Sequence, residues 1–249
     1  MILLGIDIET TGTDIENDSI TEIAIVSWDT EKKAAIQTAS TLVGSADGVW
    51  DGREYPEDVQ QLTGITIDDL RNHGADFGHV MRLLVKNAQH PMVAGIVTHN
   101  GTTFDLPFLA NNITRWNERG DAPIPIDAIL PSTAPLDFID TRYDLPAPEG
   151  SRKLTYMAAD HGIVNQYGHR ALSDVQTMLA LLSCYPIEEV LTRSQSPTVT
   201  IAAMVSYDDR DKAKQAGFFW EPASKTWRKE VKECDLMGMS ELPFKIQRL

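Results

Sequence analysis

Asp7 and Glu9, two carboxylates one residue apart, follow the apolar run Ile2-Leu3-Leu4-Gly5-Ile6 in the segment Asp7-Ile8-Glu9-Thr10-Thr11-Gly12. On a strand, residues i and i+2 point to the same side. Two negative charges held side by side and away from water repel, and both are costly unless a cation sits between them. A divalent metal ion is the usual remedy, so the segment is a candidate metal site. The pair alone also fits a solvated strand face, the commoner fate of such a pattern.

Two later segments add the same kind of group. His99-Asn100-Gly101-Thr102-Thr103-Phe104-Asp105-Leu106-Pro107-Phe108-Leu109 follows the apolar run Met92–Val97. Its Asp105 lies among apolar residues, where an unpaired carboxylate is costly. Gly168-His169-Arg170-Ala171-Leu172-Ser173-Asp174 then runs into Val175, Met178, Leu179, Leu181 and Leu182. That helical spacing places Asp174 at or near the start of an amphipathic helix. His169 lies in the loop feeding it.

Asp7, Glu9, Asp105 and Asp174, with His169 five residues before the last, resemble the DEDDh (DnaQ-like) exonucleases in order, spacing and flanking residues. The resemblance spans roughly residues 1 to 185. Ile20-Thr21-Glu22-Ile23-Ala24 resembles the second strand of that fold, and Leu62-Thr63-Gly64-Ile65-Thr66 the segment before its first helix. Phe138-Ile139-Asp140-Thr141 and Lys153-Leu154 also fit.

Phosphodiester hydrolysis builds negative charge on the attacking water, the phosphoryl oxygens and the leaving 3′ oxygen. Two metal ions about 4 Å apart can stabilise both attacking and leaving oxygens. Hard Mg²⁺ and Mn²⁺ ions prefer carboxylate oxygens. The resemblance implies that Asp7 bridges two ions, Glu9 and Asp174 hold one, and Asp105 supports the other through water. It also implies that His169 is the base, a task suited to a side chain whose ordinary pKa is about 6.5. A lone surface-loop histidine is the bland alternative.

Thr10, Thr11 and Gly12 are expected by resemblance to hold the terminal nucleotide through main-chain contacts; an ordinary turn out of the strand is the alternative. Where many relatives carry a wedging Leu or Met after this Gly, the chain has Thr13, so wedging is weak or comes from elsewhere. Asn100 suits either a substrate phosphate or sugar, or bracing of the turn before Asp105. Phe104 suits either base stacking or the core.

Composition points to a reducing, cytoplasmic setting and no membrane. The chain shows no charged leader followed by an apolar stretch, and no apolar run nears the roughly 18 residues of a membrane span. Its two cysteines, Cys184 and Cys234, form no ligand cluster, and Cys184 is expected in the core. The net charge of −14 is unusual for a protein that binds phosphates. Residues 1–196 carry 13 Lys and Arg against 28 Asp and Glu, whereas residues 197–249 carry 9 against 8. Such a catalytic part should grip a short strand end with low processivity.

The periodicities predict three strands (residues 2–8, 20–28 and 35–43), helices over 56–62 and 76–86, and a buried strand over 91–98. A helix over 105–116, a strand near 138–141 and helices over 154–161 and 174–184 follow. This order fits an α/β fold with a ribonuclease H-like mixed sheet flanked by helices. The exonuclease domain would cover residues 1–193, with a linker at 194–197 and a small α+β module at 198–249. That module (strand, helix closed by Gly217, two further strands) resembles the C-terminal module of exodeoxyribonuclease X-like proteins. Lys212, Lys214, Lys225, Arg228 and Lys229 lie beside Trp220 and Trp227 in it. Such a mixture can bind single-stranded nucleic acid, although a small module commonly needs its Trp residues as core.

The expectation is therefore a 3′→5′ exodeoxyribonuclease that uses Mg²⁺ or Mn²⁺ and releases nucleoside 5′-monophosphates, preferably from single-stranded DNA 3′ ends. RNA trimming, a proofreading subunit, and a non-catalytic binding module on the same fold are the alternatives. Repair, recombination, recycling and phage DNA metabolism stay open as pathways.

Overall fold

The central strand β1 (Ile2–Thr10) is built from β-branched and apolar residues, and the computed structural model sets it between an antiparallel and a parallel neighbour. The structure describes residues 1–47, 55–120, 122–130, 134, 136–147 and 151–249. Strands β2 (Ile20–Asp29) and β3 (Ala34–Leu42) form a meander on one side of β1. Helices α1 (Glu57–Thr63), α2 (Ile67–His73) and α3 (Phe77–Ala88) lead to β4 (Val93–Thr98), which pairs with β1 in parallel. Helix α4 (Asp105–Glu118) crosses over to β5 (Asp137–Asp140), giving the sheet order β3-β2-β1-β4-β5. This is the expected mixed sheet flanked by helices. Helix α2 was not anticipated; Thr66 and Asp69 form its reciprocal cap.

The two faces of β1 bury different sets of residues, as a period of two requires. Leu4, Ile6 and Ile8 pack with Phe77, Leu84, Phe108 and Ile113 of α3 and α4. Leu3 faces the other way, into a core supplied by Leu145, just past the short α5 (Thr141–Asp144), and by α6 (Leu154–Asp160), α7 (Ala171–Leu182) and α8 (Ile187–Gln195). Gly5 shares that second face. A Cβ there would lie 2.9 Å from Val175 Cγ1 and 3.0 Å from Leu179 Cδ1, so the missing side chain lets α7 lie close against β1.

Two sequence expectations need correction. Cys184 is exposed, because α7 ends at Leu182 and leaves it past the buried helix face. The expected linker at 194–197 starts inside α8, which runs to Gln195. The junction is also tied down: Lys232 Nζ lies 2.6 Å from the buried Asp144, and Arg193 bonds both the Asp144 carbonyl and Asp235.

The C-terminal module comprises β6 (Thr198–Met204), α9 (Arg210–Gln215), β7 (Phe219–Glu221), β8 (Thr226–Lys232) and β9 (Lys245–Arg248). Its antiparallel sheet has the order β7-β8-β6-β9. The last strand, too short and polar for a clear alternation, was not anticipated. Gly217 follows α9 with φ of 77°, the left-handed geometry that ends a helix. Among the described residues no helix is long and apolar enough to cross a membrane.

Candidate active site

The period of β1 that sends Leu3 and Gly5 toward α7 also sends Asp7 and Glu9 there. Close packing at Gly5 brings the first turn of α7, carrying Asp174, level with them. One carboxylate oxygen each from Asp7, Glu9 and Asp174 lie within 4.8 Å of one another. Asp105 reaches the same place from the start of α4. The β1–β4 ladder stops at Gly5 and Val97, and further along β1 the Ile8 N–H donates to Asp105 Oδ1 at 3.2 Å. The carboxylates therefore gather beyond the carboxyl end of β4, where open α/β sheets form their crevices.

These four groups line a cleft of about 270 Å³ together with Thr10, Gly12, Thr13, Leu62, His99, Asn100, Phe104 and His169. Among the described residues, no lysine or arginine lines it. Burial, reinforced by the Asp105, Glu9 and Asp174 charges, pushes the Asp7 carboxyl well up. Burial, then Asp174 and Glu22, raise Glu9 to about 8, and burial raises Asp105 to about 7 against an opposing hydrogen bond from Ile8. Burial also raises Asp174, with donors from Asn165 and His169 opposing. Four carboxylates, partly or fully buried and mutually repelling, form a cluster of hard oxygen donors, the donor chemistry of a Mg²⁺ or Mn²⁺ site.

His169 is exposed and its backbone sits at φ of 64°, with its N–H donating to Asp174 Oδ2 at 3.0 Å. Asn100, at φ of 70°, also occupies the left-handed region, which Asn and His tolerate better than most residues. Its N–H donates to Asp140 Oδ1 at 2.7 Å, and its side chain accepts from Thr103 Oγ1 at 3.1 Å. Asn100 thus braces the turn and faces the cleft at once. Phe104 does likewise: it stacks near Phe108 at 4.7 Å between centroids and borders the cleft. Thr10 and Gly12 line the cleft. Thr11 does not: it is buried, and its hydroxyl donates to Asp18 at 2.7 Å and accepts from Ser19 N–H. Its side chain shapes the turn instead of facing a nucleotide, because β1 shifts register between Glu9 and Thr10 and ends at Thr10, so the strand's period does not carry Thr11 to the side of Asp7 and Glu9.

Sequence reasoning missed the groups that hold these side chains. Glu22, only 3% exposed, accepts two hydrogen bonds from the Arg170 guanidinium at 3.0 and 2.8 Å and one from Ala171 N–H. It pins the start of α7 to β2, and its position inside an apolar strand was the available signal. Asn165 donates to Asp174 and accepts from Ser173 at 2.7 Å. His99, whose pKa burial lowers, holds Thr141 at 2.9 Å and the Arg152 carbonyl at 3.0 Å. Next to the carboxylates a second depression is lined by His169, Arg142, Lys153 and Tyr156. Its two cations sit beside an otherwise acidic cleft.

A family model described as an exonuclease matches residues 4–182, and one described as a domain of unknown function matches residues 199–249. No curated protein matches the chain in sequence. Escherichia coli exonuclease I with single-stranded DNA, in its zinc-bound form, superposes with a TM-score of 0.60 at 20% identity, over 73% of this chain and 39% of that one. The same enzyme with a dA16 oligonucleotide gives 0.63 at 19%, over 83% and 48%. The chain thus spans less than half of exonuclease I. A 3′-exonuclease that recognises the histone mRNA stem-loop gives 0.55 at 18%, over 74% and 80%. At these identities the superpositions speak for the fold. The model match covers well over half of the chain, and this chain belongs to the exonuclease family.

Proposed function

We propose that the protein removes nucleoside 5′-monophosphates one at a time from 3′ ends of single-stranded DNA, as an exodeoxyribonuclease X-like enzyme. The observation that carries this reading is the convergence of Asp7, Glu9 and Asp174 in one cleft with Asp105. Mg²⁺ or Mn²⁺ held by these four side chains would stabilise charge on the phosphoryl and leaving oxygens. His169 accepts the proton of the attacking water as its oxygen bonds to phosphorus. The P–O3′ bond breaks, and the shortened strand leaves with its 3′ oxygen protonated by solvent. The backbone contact from His169 N–H to Asp174 keeps base and carboxylate in register.

The terminal nucleotide lies against Thr10, Gly12, Asn100 and Phe104, with Thr11 shaping the turn behind them. Leu62, 54% exposed and lining the cleft with Thr13, supplies the apolar wedge absent at position 13. Arg142 and Lys153 meet the next phosphates. DNA is favoured by the whole-chain layout. RNA trimming keeps the same chemistry and differs in how the 2′-OH is received.

The test is a ladder assay on 5′-labelled DNA and RNA of one sequence, with Mg²⁺, Mn²⁺ or EDTA, comparing the native chain with Asp7→Ala. A metal-dependent DNA ladder lost in the variant is expected. Preference for RNA would overturn the substrate assignment, and no ladder on either strand would overturn the enzymatic one.

A further inference from the structure

The module at 198–249 has a core of its own: Val199, Ile201, Ala203, Ala213, Phe218 and Val231, with Phe244 and Ile246 packed on it. Trp220 is not part of that core and is 47% exposed. The expectation that both Trp residues serve as core holds for Trp227 alone, which packs on the cluster. The cause is sheet position. Trp220 lies opposite Trp227 on the edge strand β7, beyond the reach of α9, so the apolar face runs out into solvent.

There the two indole rings stand 5.8 Å apart between centroids and border a cavity of about 740 Å³. Met204, Tyr207, Arg210 and Lys225 also line it. Tyr207 is 79% exposed, and the Arg210 guanidinium lies 4.1 Å from its ring centroid. Exposed large side chains gathered in one concavity mark a binding surface. Among the described residues the wall carries two cations and no carboxylate, in a chain with 36 acidic residues against 22 basic. Asp208, Asp209, Asp211 and Glu221 flank these residues in sequence without lining the cavity; Asp209 pairs with Lys212 at 2.8 Å, and Glu221 accepts from Ala223 N–H.

We infer that this cleft binds unpaired nucleobases of a single-stranded nucleic acid, with Trp220 and Tyr207 as stacking platforms and Lys225 and Arg210 neutralising the flanking phosphates. Aromatic faces accept any base, and cations beside them follow the backbone. An acidic catalytic domain that holds only a strand end gains from such a second grip on the same strand. The inference rests on the nucleic-acid reading above.

The experiment measures binding of the full chain to a fluorescein-labelled oligothymidylate of about 20 nucleotides in EDTA, by anisotropy. Trp220→Ala should weaken binding about tenfold, whereas Trp220→Phe, which keeps a stacking face, should stay within about twofold. Lys225→Gln should lower the slope of log Kd against log salt by about 0.7, the contribution of one single-strand phosphate contact. Native-like binding by Trp220→Ala overturns the inference. Hydrolysis of the p-nitrophenyl ester of thymidine 5′-monophosphate by the native chain separates the two readings. Ester turnover without oligonucleotide binding removes the stacking site alone, and the absence of both removes the nuclease reading with it.

Discussion

Asp105→Asn should make the metal-free protein more stable while disabling it. Asp105 is 3% exposed, and burial lifts its carboxyl from an ordinary 3.8 to about 7. A folded-state pKa above the unfolded one gives stability that is complete below the unfolded value and is lost as pH rises through the folded value. The cost of holding this group therefore grows from about pH 4 and is complete above about pH 7. At 1.36 kcal/mol per pH unit it reaches about 4 kcal/mol at about pH 8. Asn is isosteric and its carbonyl still accepts from Ile8 N–H, so the substitution removes the charge and keeps the contact. For a chain of this size the gain corresponds to an increase in Tm on the order of 10 °C. Thermal unfolding in EDTA at about pH 8 should show that gap, and at about pH 5.5 roughly half of it. Mg²⁺ or Mn²⁺ should close the gap by stabilising the native chain, because a ligand that binds only the folded state adds to its stability. An Asp105→Asn chain no more stable than the native one in EDTA at about pH 8, or a gap that metal leaves open, would refute the account of a carboxylate cluster built around a cation.

Other substitutions probe the remaining parts of the site. Asp7→Asn should lower kcat by about three orders of magnitude or more, the scale of losing one member of a catalytic unit, with folding retained by circular dichroism. His169→Ala should cost about 10²–10⁴ in kcat with little change in KM, as loss of a general base does; an equal rise in KM would argue for substrate binding instead. Gly5→Val should push α7 off β1, costing about 1–3 kcal/mol by denaturant titration and reducing activity further as Asp174 moves away. Unchanged turnover would break the link between that packing and the site. Arg170→Ala leaves Glu22 buried without its guanidinium and should destabilise by on the order of 2 kcal/mol, less at high salt if the exposed part of the pair matters.

How much of the site the sequence makes legible depends on the range of the interaction. Asp7 and Glu9 share a side because a strand repeats every two residues, and Asp174 falls in a helix's first turn because its apolar residues repeat every 3.6. Such rules are local, and they suffice for most elements of the main sheet and its flanking helices. They miss α2, whose signal is a two-residue cap, and β9, four residues with Ile246 as the single apolar one, which become a strand only by pairing with β6. They also misplace Cys184, two residues past the buried end of α7. Each of these depends on a partner outside the segment's own pattern.

The amino-acid order alone determined which carboxylates are candidates, which face of β1 carries two of them, and that the acidic charge lies on the first 196 residues. Only the tertiary structure decided that they converge. Asp174 meets Asp7 because Gly5 admits α7, Asp105 meets Ile8 across 97 residues, and Arg170 holds Glu22 across 148. Trp220 stands opposite the partly buried Trp227 and is nevertheless 47% exposed. Periodicity assigns a side chain to a face, but whether that face is covered depends on which distant element packs there, and chain topology sets that.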